Sequence, residues 1–188
     1  MENRMPASYY TNPLEFLITT LFSLYILAVM LRFLLGVVRA DFYNPVSQFL
    51  VRITNPLLLP LRRIIPGLGK YDTAALVLLL VLQLISLAVT VLLRGGDINL
   101  LNLLIHAVIE LILLMLNIFI IAIFVQVILS WINPGTYNPV SAMLSSLTSP
   151  LLQPIQRLLP AVAGMDLSPL FALIGLQVLK MLVMPLLV

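Results

Sequence analysis

Between Asp72 and Arg94 the chain passes through 21 residues, Thr73–Leu93, without one charged side chain. Coiled at about 1.5 Å per residue, that stretch measures roughly 31 Å, close to the hydrocarbon thickness of a bilayer. A segment alone in lipid satisfies its backbone N–H and C=O groups only as a helix, so the stretch predicts a transmembrane α-helix. Three further apolar stretches, about 14–38, 103–132 and 167–188, predict the same. The 103–132 stretch is longer than a crossing needs, which predicts a tilted helix or an interfacial first turn near Asn102 and His106. Composition agrees. Only 9% of the 188 residues are charged, against about 25% in soluble domains. So few charges cannot cover a surface in water. The expected fold class is therefore an all-α membrane protein with four transmembrane helices.

The segments joining the first to the second span and the third to the fourth are copies of one another. Tyr43, Asn44, Pro45, Val46 and Ser47 recur as Tyr137, Asn138, Pro139, Val140 and Ser141. Thr54, Pro56, Pro60, Arg63, Pro66 and Asp72 recur as Thr148, Pro150, Pro154, Arg157, Pro160 and Asp166, every pair 94 positions apart. Gln83, within the second span, finds Gln177 at the same offset. Recurrence in register over this length is an internal duplication. It divides the chain into a polar arm (1–13), repeat 1 (14–93, with its loop at 39–72), a linker (94–102) and repeat 2 (103–188, with its loop at 133–166). Each repeat has an even number of spans, so both enter the membrane in the same direction. The repeats are parallel, unlike the inverted repeats of many transporters.

Asn44 before Pro45 reads as a helix N-cap with proline at the first helical position. Val46, Phe49, Leu50 and Ile53 then form one apolar stripe, kept in the second copy as Val140, Met143, Leu144 and Leu147. Pro56 or Pro60 is expected to restart the chain as a second short helix carrying Arg62 and Arg63. Such segments lie flat at the interface, apolar face in the acyl boundary, or dock on the bundle ends, and the two are compatible. Arg39, Arg52, Arg62, Arg63 and Lys70 lie in the first loop and Arg157 in the second, while the other side offers Arg4 and Arg94. By the positive-inside rule both loops face the cytoplasm and both termini the other side. Arg52, Arg62, Arg63 and Arg157 are the candidates for contact with anionic lipid headgroups. Asp72 and Asp166 read as N-caps of the returning spans.

Charges inside spans need a reason. Arg32 lies near enough to the end of the first span to snorkel, and its repeat mate is Gln126. Glu110 and Lys180 sit at matched depth on the third and fourth spans, which predicts an ion pair within the membrane. His106, one turn before Glu110, reads as an interfacial histidine. With no cysteine and one histidine, structural zinc, iron–sulfur and thiol chemistry are excluded. No nucleophile–base pair or phosphate-cradling glycine loop appears. The expectation is a non-enzyme without cofactor or nucleic-acid partner, contacting anionic lipids and other membrane proteins or itself.

The doubled signature of Tyr-Asn-Pro, then Thr-x-Pro-Leu-Leu-x-Pro-x-x-Arg, then Pro and a final Asp resembles the YggT (YlmG) family of bacterial and plastid membrane proteins. The second copy departs from the first in having Thr136 where Phe42 stands and Gln156 where Arg62 stands. The resemblance spans nearly the whole chain and implies an inner-membrane protein linked to osmotic or envelope stress, cell division or, in plastids, haem attachment. It brings no catalytic residue. Three functions fit, in this order: a scaffold or assembly factor, a small oligomeric channel or transporter for ion or osmolyte homeostasis, and a haem-attachment factor resting on His106.

Overall fold

The computed structural model of the protein describes residues 7–67, 69, 71–132, 138–158 and 166–187. Tyr137 and Pro160 of the second copy, Lys70 and residues 1–6 of the arm fall outside the described residues. The described chain forms six α-helices: α1 (Ala7–Val37), α2 (Pro45–Ile64), α3 (Thr73–Leu93), α4 (Leu100–Ile132), α5 (Pro139–Leu158) and α6 (Ser168–Val183), followed by a 3₁₀ turn at Met184–Leu187. Segments Pro13–Val37, Thr73–Leu93, Leu100–Ile132 and Ser168–Leu187 are long and apolar enough to cross a bilayer. The chain is thus a multi-pass membrane protein of two tandem parallel repeats, each a span, an amphipathic helix and a returning span. Helix α4 begins three residues earlier than the apolar stretch suggests, because Asn99 caps it. The Asn99 side chain accepts from the Asn102 N–H at 3.1 Å.

Each repeat closes on the same three positions. In repeat 1, Val29 of α1, Leu58 of α2 and Leu78 of α3 are buried in one cluster. Their repeat mates Ile123, Leu152 and Ala172 form the corresponding cluster in repeat 2. Within lipid, association of spans rests on packing rather than on removal of water, so this interdigitated triple is what holds each amphipathic helix against its pair of spans.

The repeats do not pack symmetrically. Helix α3 packs on α4, and α5 reaches both α1 and α2. Among the described residues α6, the repeat mate of α3, touches α4 and α5 but not α1. The two units therefore stand side by side rather than around a closed two-fold axis. The main core gathers α1, α2, α3, α4 and α5, while α6 buries only Ser168 and Ala172.

The prolines of the loop correct the expectation of two short helices. Helix α2 is continuous over 20 residues with Pro56 and Pro60 inside it, and α5 likewise holds Pro150 and Pro154. A proline within a helix removes one N–H donor and crowds the preceding turn. Donors from α1 meet carbonyls on that turn: Arg32 Nη1 donates to Val51 O at 3.2 Å, and the Tyr25 hydroxyl makes a long bond to Ile53 O at 3.4 Å. These bonds flank the carbonyl of Arg52, which Pro56 leaves without its helical donor, and they tie that turn to α1. The apolar stripe is also shifted. The residues buried in α2 are Ser47, Leu50, Thr54 and Leu58, and Phe49 faces outward at 61% exposure. A stripe docked on the bundle lies beside an outward apolar edge of Phe49, Leu57 and Ile64, so the helix docks and also presents apolar side chains to its surroundings.

Helix α1 ends in a Schellman motif. Ala40 N–H bonds Leu35 O at 2.9 Å and Arg39 N–H bonds Gly36 O at 3.2 Å, with Leu35 and Ala40 in one apolar cluster. The left-handed position is Arg39, at φ 53°, where glycine is usual. Helix α3 ends the same way with Gly95 there, at φ 70°.

Candidate functional site

Two side-chain bonds fasten each amphipathic helix, and both occur at matched positions in the two repeats. The Asn44 side chain accepts from Val46 N–H at 2.9 Å and caps α2, as Asn138 does for Val140. One turn inside the membrane end of α1, Arg32 Nη1 donates to the Thr54 hydroxyl at 2.5 Å, and that hydroxyl donates to Leu50 O at 2.6 Å. In repeat 2 the Thr148 hydroxyl is the donor, with Gln126 Oε1 and Leu144 O (at 2.9 Å) as alternative acceptors for its one proton. Thr54 and Thr148 are both fully buried. Hydrophobic patterning misses such threonines, and their recurrence at the 94-residue offset is the sequence signal that marks them.

The second bond is at the far end of the amphipathic helix. Arg62 Nη2 and Nε reach Asp72 Oδ2 at 2.5 and 3.2 Å, while Asp72 Oδ1 caps α3 by accepting from Ala75 N–H at 3.2 Å. In repeat 2, Gln156 donates to Asp166 Oδ2 at 2.8 Å and Asp166 Oδ1 accepts from Ser168 N–H at 2.9 Å. Asp72 is thus the N-cap of α3 as expected, whereas Leu167 holds that position in α6 and Asp166 lies one residue before it. Each aspartate ties the start of its span to the end of the amphipathic helix. The Ser168 hydroxyl beside it, the Ser168 N–H and the Gln156 amide hold the Asp166 carboxyl below the usual carboxylate range. Of these, the N–H and the amide are the contacts with hydrogen-bond geometry.

The expected ion pair between Glu110 and Lys180 does not form. Glu110 accepts from Gln83 of α3, and Lys180 donates to Asn117 Oδ1 at 2.8 Å. Both charges found uncharged amides nearer than each other. Gln83, Glu110, Asn117 and Ser23 line a cavity of about 250 Å³ where α1, α3 and α4 meet. Gln177, the mate of Gln83, is exposed on α6. His106 Nδ1 bonds Asn102 O at 2.8 Å, one turn back on its own helix. At the other end of repeat 1, Arg94 bonds Glu15 Oε1 through Nη2 at 2.6 Å and Nε at 3.0 Å. The bond and charge of Glu15 hold the Arg94 guanidinium above its ordinary value. Among the described residues no three His, Cys, Asp or Glu side chains converge to hold a metal.

Of the arginines proposed to meet headgroups, Arg63 and Arg157 are exposed on the last turns of α2 and α5, matched in position. There they also complement the helix dipole. Arg62 is committed to Asp72. Arg52 and Arg62 line a cavity of about 640 Å³, together with Arg32, Gln48, Asn55 and Asp72. Arg32 is 7% exposed and does not snorkel. A cavity of repeat 2 that corresponds in part to that of repeat 1, about 650 Å³, is lined by Gln126, Ser130, Trp131, Gln156, Asp166 and apolar residues, with no arginine. The start of α6 takes the place of the wall that α2 gives in repeat 1.

A family model described as CCB3/YggT matches the chain twice, over residues 11–93 and 105–187. The chain is 48% identical over 170 residues to an uncharacterized protein of Pseudomonas aeruginosa, covering 89% of this chain and 86% of that one. It is 40% identical over 168 residues to an uncharacterized protein of Vibrio alginolyticus, covering 88% and 90%. To the uncharacterized protein YggT of Escherichia coli it is 36% identical over 171 residues, covering 90% and 88%. No solved structure matches the chain significantly. With its doubled loop motif, its six helices in two matched sets and a family model matching both halves, the chain belongs to the CCB3/YggT family.

Proposed function

We propose that the protein is a non-enzymatic scaffold or assembly factor of the bacterial inner membrane, working through the face made by α2 and α5 on the cytoplasmic side. The observation that carries this reading is the bond between the two repeats at that face. Asn44 Nδ2 donates to Pro139 O at 2.5 Å, joining the start of α2 to the start of α5. Both helices are also fastened to their spans by the threonine and aspartate bonds. A pair of amphipathic helices held at fixed spacing presents a preformed surface to a partner, and preorganisation lowers the cost of binding. Outward-facing Phe49, Leu57, Ile64, Arg63 and Arg157 give that surface apolar and cationic groups. The processes implied by the family resemblance are envelope or osmotic stress and membrane organisation around division.

Cross-linking at native expression level, extraction into lipid discs and mass spectrometry test this. The expected result is a reproducible partner whose recovery falls in Asn44→Ala, with the protein still inserted. A protein recovered only with copies of itself overturns the scaffold reading. It favours a channel instead, for which the observation is the Gln83, Glu110, Asn117 and Lys180 cluster within the membrane. Ion or osmolyte flux in liposomes then becomes the deciding measurement.

A further inference from the structure

We propose that the cavity of repeat 1 is a binding site for a single phosphate group, anchored by Arg32 and walled by Arg52 and Arg62. Arg32 carries the inference. It is more than nine-tenths buried, and both its bonds within the chain leave from Nη1, to Thr54 and Val51. Among the described residues Nε and Nη2 have no partner, and no carboxylate lies within ion-pair distance of the group. A buried guanidinium without a counter-charge costs several kcal/mol, and its fork of donors matches the oxygens of a phosphate. The space it lines is large enough for one: about 640 Å³, with Arg52 and Arg62 on the wall.

The charge in that space is not balanced by the chain. Three guanidinium groups face one carboxylate, Asp72, which Arg62 already occupies. Gln48, Arg52 and Asn55 stand at i, i+4 and i+7, so the polar edge of α2 supplies one wall and the end of α1 the other. An anionic group in the centre would bond the free nitrogens of Arg32 from one side and Arg52 from the other. The cavity of repeat 2 shares with that of repeat 1 the end of the first span and the aspartate corner, where Gln126 and Gln156 replace Arg32 and Arg62. Ser146, the mate of Arg52, does not line it. That cavity takes no anion. The phosphate comes either from the headgroup of an anionic lipid entering from the bilayer or from free phosphate entering from water. The site stands whether or not the protein is a scaffold.

The full chain is reconstituted in phosphatidylcholine vesicles with and without phosphatidylglycerol, then released and weighed intact with its bound lipid. The expected result is one phosphatidylglycerol retained, lost in Arg32→Gln and held about tenfold more weakly in Arg52→Gln. Arg39→Gln removes one exposed charge that does not line the cavity and is expected to change nothing. In the other arm, inorganic phosphate is titrated into the phosphatidylcholine sample and the melting temperature is read. A rise that Arg52→Gln abolishes supports the site and identifies free phosphate as its source. Should Arg32→Gln fail to fold, Arg52→Gln decides alone, because Arg52 is exposed and has no partner among the described residues, so its loss leaves the packing intact. Retention that is equal in wild type and Arg52→Gln, with no phosphate response, overturns the proposal. So does an Arg39→Gln loss as large as that of Arg52→Gln, which would reduce the effect to general surface charge.

Discussion

Repeat 1 holds its amphipathic helix with arginines, Arg32 on Thr54 and Arg62 on Asp72, and repeat 2 holds the same helix with glutamines, Gln126 on Thr148 and Gln156 on Asp166. Positions are the same. At the aspartates only the donor differs, while at the threonines the direction also changes, since Arg32 donates to Thr54 and Gln126 Oε1 accepts from Thr148. A hydroxyl or carboxylate needs one partner at that point, which an amide supplies as well as a guanidinium. Fastening therefore does not explain the arginines. What they add is charge and unused donors, and both of those face the repeat 1 cavity. The comparison separates what the fold requires from what one copy has acquired.

Removing the shared acceptor is the strongest way to break the comparison. Thr54→Val leaves a buried guanidinium short of its hydroxyl and is expected to cost about 3 kcal/mol. Thr148→Val leaves only a neutral amide short and is expected to cost about 1 kcal/mol. Unfolding of the two variants in detergent measures the difference. Equal losses would mean that the charge on Arg32 is already neutralised by something other than Thr54.

Next in size is the glutamine pair within the spans. Gln83→Leu removes the partner of Glu110 at the α3–α4 contact and is expected to cost about 1 kcal/mol. Gln177→Leu alters a side chain exposed on α6, which meets lipid before and after folding, so its expected effect is within about 0.5 kcal/mol of zero. A large loss from Gln177→Leu would show that α6 is covered by a partner in the membrane.

Much of this architecture was legible in the residues. Apolar length gave four spans, the 94-residue offset gave the two units, and Asn44 and Asp72 were readable as caps because their chemistry is local. Contacts between elements were not legible. Glu110 and Lys180 have opposite charge and matched depth, yet which neighbour each meets depends on helix rotation, which hydropathy does not encode. Pro56 and Pro60 read as helix breaks because the loop residues do not show that α2 docks along α1 and α3. Arg32 read as a snorkelling residue because the cavity that receives it is made jointly by α1, α2 and the loop between them.

Helix ends give a smaller contrast. Arg39 occupies at the end of α1 the left-handed position that Gly95 occupies at the end of α3. Arg39→Gly is expected to stabilise the protein by about 1 kcal/mol, less the entropy that glycine returns to the unfolded chain. An unchanged or lower melting temperature would mean that the Arg39 side chain offsets its backbone strain through a contact of its own.

The smallest expected effect concerns acid. The Asp166 carboxyl titrates below its unfolded value, so its contribution is fully present above the usual carboxylate range and is lost as pH falls through the lowered folded value. The side chain is exposed, and solvent keeps that contribution small. Asp166→Asn still offers Ser168 N–H an acceptor at the start of α6, so the variant is expected to lose little stability at neutral pH. Its melting temperature is expected to fall less than that of wild type as acid is added. Parallel pH profiles for the two proteins would mean that the Gln156 bond does not favour the ionised carboxylate. The fastening in repeat 2 would then be purely one of packing, which is the role that the fold requires of it.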